Sequence, residues 1–229
     1  SLRRQRQMCI RDSSRAHTRE ALAILLAQPD AWRTMRQRDD PAELQRAAED
    51  RSLEHLLNPP TVAIIGAPNV GKSTLANQLF ARDHSITADL PGTTRDWVGE
   101  RANLDGLIVT LIDTPGQRQT EDPIEAAAID RAKPVIRRAD LVVIVLDATR
   151  AIEPGEASLL AEHSDAIIVV NKADAGDERH LGALPIAALS GEGVDALRVL
   201  IRKRFGCETL TSLHARCWTN AQRESLRAL

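Results

Sequence analysis

The residues best suited to chemistry lie together at 66–73, Gly66-Ala67-Pro68-Asn69-Val70-Gly71-Lys72-Ser73. Two glycines at this spacing, then Lys-Ser, with a β-branched run before and a helical pattern after, form a phosphate-binding loop. Glycine admits the backbone turns that let N–H groups wrap a polyphosphate, and the helix that follows presents its N-terminus to the anion. Lys72 then reaches the β- and γ-phosphates, and the Ser73 hydroxyl is a ligand for Mg²⁺. Val70 and Thr74 belong to the same nucleotide-contacting stretch. Three further motifs occur along the chain. Pro91-Gly92-Thr93-Thr94-Arg95-Asp96 comes first, with Thr94 placed to complete the Mg²⁺ sphere and sense the γ-phosphate, and Thr93 beside it. Asp113-Thr114-Pro115-Gly116 follows; Asp113 would hold the metal through water, and the Gly116 N–H would meet the γ-phosphate. Asn171-Lys172-Ala173-Asp174 is the last. A carboxylate at 174 can accept from the N1–H and 2-amino group of guanine, donors that adenine lacks, so Asp174 selects GTP over ATP. Singly, each piece is an ordinary glycine turn or polar loop. Four of them make a guanine-nucleotide switch, with segments 83–97 and 116–128 as its moving parts.

Such a site needs strands that end where the motifs begin. Short apolar, β-branched runs stand at 61–65, 108–112, 141–146 and 166–170, and 98–104 alternates like an edge strand. Helical patterns lie between them near 72–81, 122–138, 154–163 and 192–204. Continuous apolar strands alternating with helices predict a three-layer α/β fold on a mostly parallel sheet. Helical segments flank it. One is expected at 16–28, stopped by Pro29; a second spans 41–57, opened by Pro41 and closed by Pro59-Pro60; and 218–229 reads as the beginning of another. The expected organisation is therefore a helical segment at 14–58, a nucleotide-binding domain at 59–206, and the start of a truncated helical segment at 207–229.

The motifs as they stand, GAPNVGKSTLANQL at 66–79, ITADLPGTTRDW at 86–97, DTPGQRQTEDPIE at 113–125 and NKAD at 171–174, resemble the G domain of the TrmE–Era–EngA group of translation-associated GTPases. Within the group they are most similar to the MnmE branch, which acts in tRNA modification. The resemblance covers about two thirds of the chain and implies a P-loop GTPase that hydrolyses GTP to GDP and phosphate. It implies that Asn69, with the backbone near Ala88–Leu90, holds a K⁺ ion; that Glu125 orients the attacking water; and that G domains pair transiently across the nucleotide face. It further implies an RNA partner (tRNA or rRNA) or a tRNA-modification partner protein. Three departures stand out. Gln117 follows Asp-Thr-Pro-Gly where the group has a hydrophobic residue, and so competes with Glu125 for the water. The guanine-backing Ser-Ala-Lys is Ala187-Ala188-Leu189, where the Ala188 N–H is still expected to serve the base. The C-terminal Cys-x-Gly-Lys signature is absent. Two alternatives stay open: a ribosome-assembly GTPase of the Era/EngA kind, and a GTP-gated binding module with little hydrolysis of its own.

Composition sets the outer bounds. The 229 residues are 43% hydrophobic and 27% charged, close to the globular average, which excludes wholesale disorder. A formal charge of −2 gives no global pull toward nucleic acid or anionic lipid. No run is long enough to span a membrane. With 2% aromatic residues, a base-stacking surface is disfavoured. Cys9, Cys207 and Cys217 match no zinc spacing and suggest a reducing cytoplasm. Residues 1–13, SLRRQRQMCIRDS, resemble a translated sequencing-adapter string and are expected to be a non-native tail.

Overall fold

β-branched residues restrict χ1 and pack well on a pleated surface, and the apolar runs of this chain form strands accordingly. The structure is a computed structural model that describes residues 2–80, 100–113, 133–176 and 182–227. Its six-stranded sheet comprises β1 (Thr61–Gly66), β2 (Glu100–Leu104), β3 (Leu107–Asp113), β4 (Leu141–Asp147), β5 (Ile167–Asn171) and β6 (Leu184–Pro185), in the order β2-β3-β1-β4-β5-β6. β1 lies between β3 and β4, parallel to both, and β4–β5 and β5–β6 are parallel as well. β2 and β3 are joined by Asp105-Gly106, both at positive φ (49° and 100°), as a two-residue type I′ hairpin requires. The expected edge strand is thus present from residue 100. The two-residue β6 was not expected, because it is too short to carry any periodicity.

Register decides what the sheet positions. Ile64 is level with Asp113, Gly66 with Val145, and Asp147 with Asn171. All four of these strand ends therefore open on the same carboxyl edge, where ligands of open α/β sheets bind. Ala63 and Ile65 of β1 and Val142, Ile144 and Leu146 of β4 pack with Ile136, from helical residues 133–138, and with Leu159 of α6 (Pro154–Glu162). Successive strand residues alternate faces. The intervening Val62, Ile64, Val143 and Val145 are wholly buried on the other side, where α5 (Lys72–Phe80) packs on β1. A sheet covered on both faces explains why its strands read as continuous apolar runs rather than alternating ones.

The described chain forms two compact units: Pro60–Asn103 with Val109–Leu200, which holds the body of the sheet, and Ser1–Pro59 with Leu104–Ile108 and Ile201–Leu229, which is mainly helical. The helical unit contains α1 (Leu2–Asp12), α2 (Arg19–Arg38), α3 (Pro41–Glu49), α4 (Ser52–Leu57) and α8 (Asn220–Arg227). The C-terminal turn of α7 (Val194–Arg204) belongs to it too. Two sequence expectations are corrected here. Pro29 does not end its helix but sits inside α2. The apolar face simply continues through it, as Ala21, Ile24, Leu25, Gln28, Ala31, Trp32 and Met35 are all buried at helical spacing, and that burial outweighs the lost N–H. The single helix expected over 41–57 is two, because Asp50 is extended (φ −67°, ψ 112°) and its carboxylate accepts from the Ser52 N–H at 2.8 Å, starting a new helix. Asp40 and Pro41 do open α3 as the sequence predicts, the Asp40 carboxylate accepting from the Ala42 N–H at 2.8 Å.

Residues 2–12, set apart in the sequence as a foreign tail, are the helix α1. Cys9 and Asp12 are buried in it, and Asp12 Oδ2 accepts from the indole N–H of the buried Trp218 at 2.9 Å. Burial raises the Asp12 pKa, but the hydrogen bonds from Arg11 and Trp218 and the charges of Arg11 and Arg15 outweigh it and hold the carboxyl below the usual range. The three thiols are all buried, which pushes Cys9 and Cys217 up to about 11 and Cys207 up to about 12. They are protonated and unreactive at neutral pH. Asp12→Ala strands the Trp218 N–H, and deletion of residues 1–13 removes the same acceptor with the whole of α1. Each is expected to cost about 1–3 kcal/mol, read as a lower urea midpoint by tryptophan fluorescence. A depressed carboxyl stabilises above its unfolded pKa of about 3.9 and stops doing so as pH falls through the folded one. The Asp12→Ala difference should therefore hold at pH 5–7 and vanish only in stronger acid. An unchanged midpoint is the result a foreign tail would give.

Candidate functional site

The loop between β1 and α5 has a backbone only its own residues can adopt. Gly66 has φ +152°, and a Cβ there would stand 2.3 Å from the Val145 carbonyl oxygen. Gly71 has φ +94°, and its Cβ would stand 2.2 Å from Asn171 Nδ2. Asn69 at the crown is exposed and left-handed (φ 62°), a conformation asparagine tolerates better than most residues. α5 begins at once, with the Leu75 N–H on the Gly71 carbonyl at 2.9 Å. The N–H groups of its first turn have no partner within the helix, and they belong to Lys72, Ser73 and Thr74. Lys72 is buried, its ammonium folded back over the loop onto the carbonyls of Ala67 (2.8 Å) and Gly66 (3.2 Å). Ser73 is exposed at the helix start. Asp113 is the last residue of β3 and lies level with Ile64 of β1, which leads into the loop.

The second half of the site is the turn after β5. Asn171 is 3% exposed, and its amide is used at both ends. Nδ2 donates to the Val70 carbonyl at 2.7 Å, and Oδ1 accepts from the Ala188 N–H at 2.9 Å. One side chain therefore ties the phosphate loop to the segment after β6. Lys172 is left-handed (φ 63°); its carbonyl accepts from the Ala175 and Gly176 N–H groups at 2.9 and 3.1 Å, and the Ala173 N–H reaches the Ile186 carbonyl at 3.0 Å. Asp174, on the tip of this turn, is exposed, and no described residue bonds its carboxylate.

A residue not foreseen joins the site. Asp147, at the end of β4 and buried, takes the Lys172 ammonium on Oδ2 at 2.6 Å and the Thr149 hydroxyl and N–H on Oδ1 at 2.6 and 2.9 Å. Burial raises its pKa, but the bonds from Lys172 and Thr149 prevail and hold it below the ordinary aspartate range. Its signal in the sequence was an acid closing an apolar strand at the carboxyl edge.

The Ala188 N–H, expected to serve the base, donates to Asn171 Oδ1 at 2.9 Å. The next N–H, that of the exposed Leu189, bonds no described residue. The serine missing at 187 leaves no slack. The Ser190 and Gly191 N–H groups both reach the Ala187 carbonyl, at 3.1 and 2.9 Å, and the Ser190 hydroxyl adds a third bond at 3.2 Å. The expected residues Thr93, Thr94, Gly116, Gln117 and Glu125, and the loop at 88–90, lie outside the described residues.

Comparison with known proteins meets this geometry directly. Residues 61–172 match the family described as 50S ribosome-binding GTPase. Over 169 residues the chain is 42% identical to the tRNA modification GTPase MnmE of Cereibacter sphaeroides, an alignment covering 73% of this chain and 38% of that protein. The chain carries a GTPase domain of the TrmE–Era family. Solved structures agree. Aquifex aeolicus Era bound to GDP·AlF₄⁻ aligns with a TM-score of 0.51 at 29% identity, over 63% of this chain and 56% of that one. Era with MgGDPNP and a fragment of 16S ribosomal RNA aligns with a TM-score of 0.50 at 30% identity, over the same shares. The GTPase domain binds guanine nucleotide and is a GTP hydrolase. The chain spans about 38% of the length of its MnmE relative, and none of its described helices is long and apolar enough to cross a membrane.

In this GTPase domain Asn171→Ala would leave the Val70 carbonyl and the Ala188 N–H buried without partners. Two stranded groups at about 1–3 kcal/mol each set the upper bound of the loss, and GDP affinity should fall by at least about tenfold, measured by displacement of a fluorescent GDP. Unaltered affinity would show that the clip does not organise the site.

Proposed function

We propose that this chain is the GTP-hydrolysing portion of an MnmE-like GTPase acting in tRNA modification in the cytoplasm. The observation that carries the reading is the Asn171 clip, which makes the phosphate loop and the guanine-reading turn one cradle, in a chain 42% identical to an MnmE over 169 residues. Asp174 accepts from guanine, and the loop N–H groups with Lys72 hold the phosphates. Water attacks the γ-phosphorus in line, and the bond from phosphorus to the β–γ bridging oxygen breaks, leaving GDP and phosphate. Glu125 orients that water, ahead of Gln117.

The residues present fit a hard cation. Ser73 at the head of α5 and Asp113, the residue that ends β3, are of the types that supply oxygen donors, and Mg²⁺ takes few protein oxygens and keeps its waters. Ser73, Asp113 and Thr94 would hold it, and it would neutralise charge on the β- and γ-oxygens. Asn69, exposed at the crown of the loop, would hold K⁺, an added positive charge of the kind an arginine finger supplies elsewhere. Pairing with a second G domain across this face, and engagement of tRNA or a tRNA-modification partner protein, complete the reading.

A second reading is a ribosome-assembly GTPase. It is favoured by the likeness to Era, one structure of which holds a 16S ribosomal RNA fragment. Turnover of GTP by the full chain, in KCl against NaCl at equal ionic strength, tests the MnmE reading. At least about tenfold stimulation by K⁺ is expected, with Glu125→Ala lowering turnover by about a hundredfold and Gln117→Ala by little. Indifference to K⁺ with loss only in Gln117→Ala would replace it by a glutamine-dependent switch. Negligible turnover in either salt would leave a GTP-gated binding module.

A further inference from the structure

The turn that reads guanine carries two opposite charges two residues apart, Lys172 and Asp174. A carboxylate that must accept from the base is hindered if the neighbouring ammonium pairs with it. The structure resolves the conflict with a third charge. Asp147, from the neighbouring strand and outside the motif, holds the Lys172 ammonium at 2.6 Å, while Asp174 is bonded by no described residue.

The rest of the geometry makes Asp147 a fixed post. Its other oxygen is held twice by Thr149. The Ala148 N–H donates to the Asn171 carbonyl at 2.8 Å. A Cβ on Gly176 would stand 2.1 Å from the Ala148 carbonyl oxygen, so the turns 147–149 and 172–176 lie backbone against backbone. Asp147 is 7% exposed and Lys172's side chain is 38% exposed, so the lysine is drawn inward to the acid rather than the acid outward.

We propose that Asp147 is a specificity-determining positioning residue: by holding Lys172 against β4 it keeps the Asp174 carboxylate open for guanine. The proposal rests on the guanine-reading role given to Asp174 above. It predicts that Asp147 matters through charge rather than shape, and only while residue 174 is an anion.

The test uses the full chain and fluorescent nucleotide displacement with GDP and xanthosine diphosphate. Asp147→Asn keeps the shape and the Thr149 bonds to Oδ1, and should weaken GDP about tenfold, with the KM for GTP rising and kcat changing little. Thr149→Val, which loosens the post but leaves the ion pair, should weaken GDP about two- to fivefold. Asp174→Asn, whose amide can donate to the 2-oxo group of xanthine, should exchange preference from GDP to xanthosine diphosphate. In that background residue 174 no longer attracts Lys172, so adding Asp147→Asn should change xanthosine diphosphate affinity by less than about twofold. A merely structural Asp147 would weaken both nucleotides equally, and that result, or wild-type GDP affinity in Asp147→Asn, overturns the proposal. Urea midpoints of each variant separate either result from unfolding. If instead Asp174→Asn leaves GDP binding untouched, the guanine-reading role of Asp174 itself fails.

Discussion

Everything in the nucleotide site depends on one buried primary amide. Asn171 closes β5, and its two polar ends are spent on backbone groups of two different loops, Val70 and Ala188. Both segments bury apolar residues, Ala67 and Val70 in one and Ile186, Ala187 and Ala188 in the other, and the amide adds a polar tie between them. The amide supplies direction as well as energy, because a donor and an acceptor at fixed separation allow one relative placement of the loops. Its presence also dictates sequence elsewhere. Gly71 has no room for a Cβ because Asn171 Nδ2 stands where that atom would be. The second glycine of the phosphate loop is therefore demanded twice over, by its positive φ and by the residue that organises the base end.

Placement of charge follows from the parallel sheet. Since β1, β3, β4 and β5 all run the same way, their last residues, Gly66, Asp113, Asp147 and Asn171, share one edge. Two of these are acids on an edge that must take a polyanion, which would be self-defeating if both carboxylates stood free. Asp147 is compensated by Lys172, within its own end of the site. Asp113 begins the stretch given to the metal, whose positive charge would cancel it. Of Asp147 and Asp174, the two acids at the β4 and β5 end of the edge, Asp147 is bonded by Lys172 and Thr149, while Asp174 is exposed and bonded by no described residue.

Much of this was legible in the sequence, for definite reasons. The phosphate loop announces itself because steric demands at Gly66 and Gly71 and the charge at Lys72 leave few alternatives, and the strands show as apolar runs because they are buried on both faces. β6 was not legible, since two residues held by a neighbouring strand carry no pattern. The bond from the Ala188 N–H to Asn171 was not legible either, because it depends on where the end of β5 lies against the segment after β6. Asp147 carried only the weak signal of an acid closing an apolar strand, because its partner lies 25 residues away across a strand pair. Pro29 misled because a local rule, the missing N–H, was outweighed by the buried face of α2, an effect that lives in tertiary packing.

The helical unit argues the same point from the opposite side. A basic, nearly non-apolar string such as LRRQRQMCIRD has no stripe wide enough to predict a docked helix. What anchors it is polar and specific: one carboxylate, Asp12, receiving the N–H of a tryptophan far along the chain. The same device recurs where Trp32 donates to the Arg216 carbonyl at 3.1 Å, and where Gln28 accepts from the Arg216 N–H at 2.7 Å. A buried indole must place its N–H on an acceptor or lose about the worth of a hydrogen bond. In a protein with so few aromatic residues, two of the three tryptophans are thereby fixed in orientation. Directional bonds of this kind act with the apolar cluster of Trp32, Met35, Ala47 and Cys217 to fix how the segments before and after the GTPase domain come together.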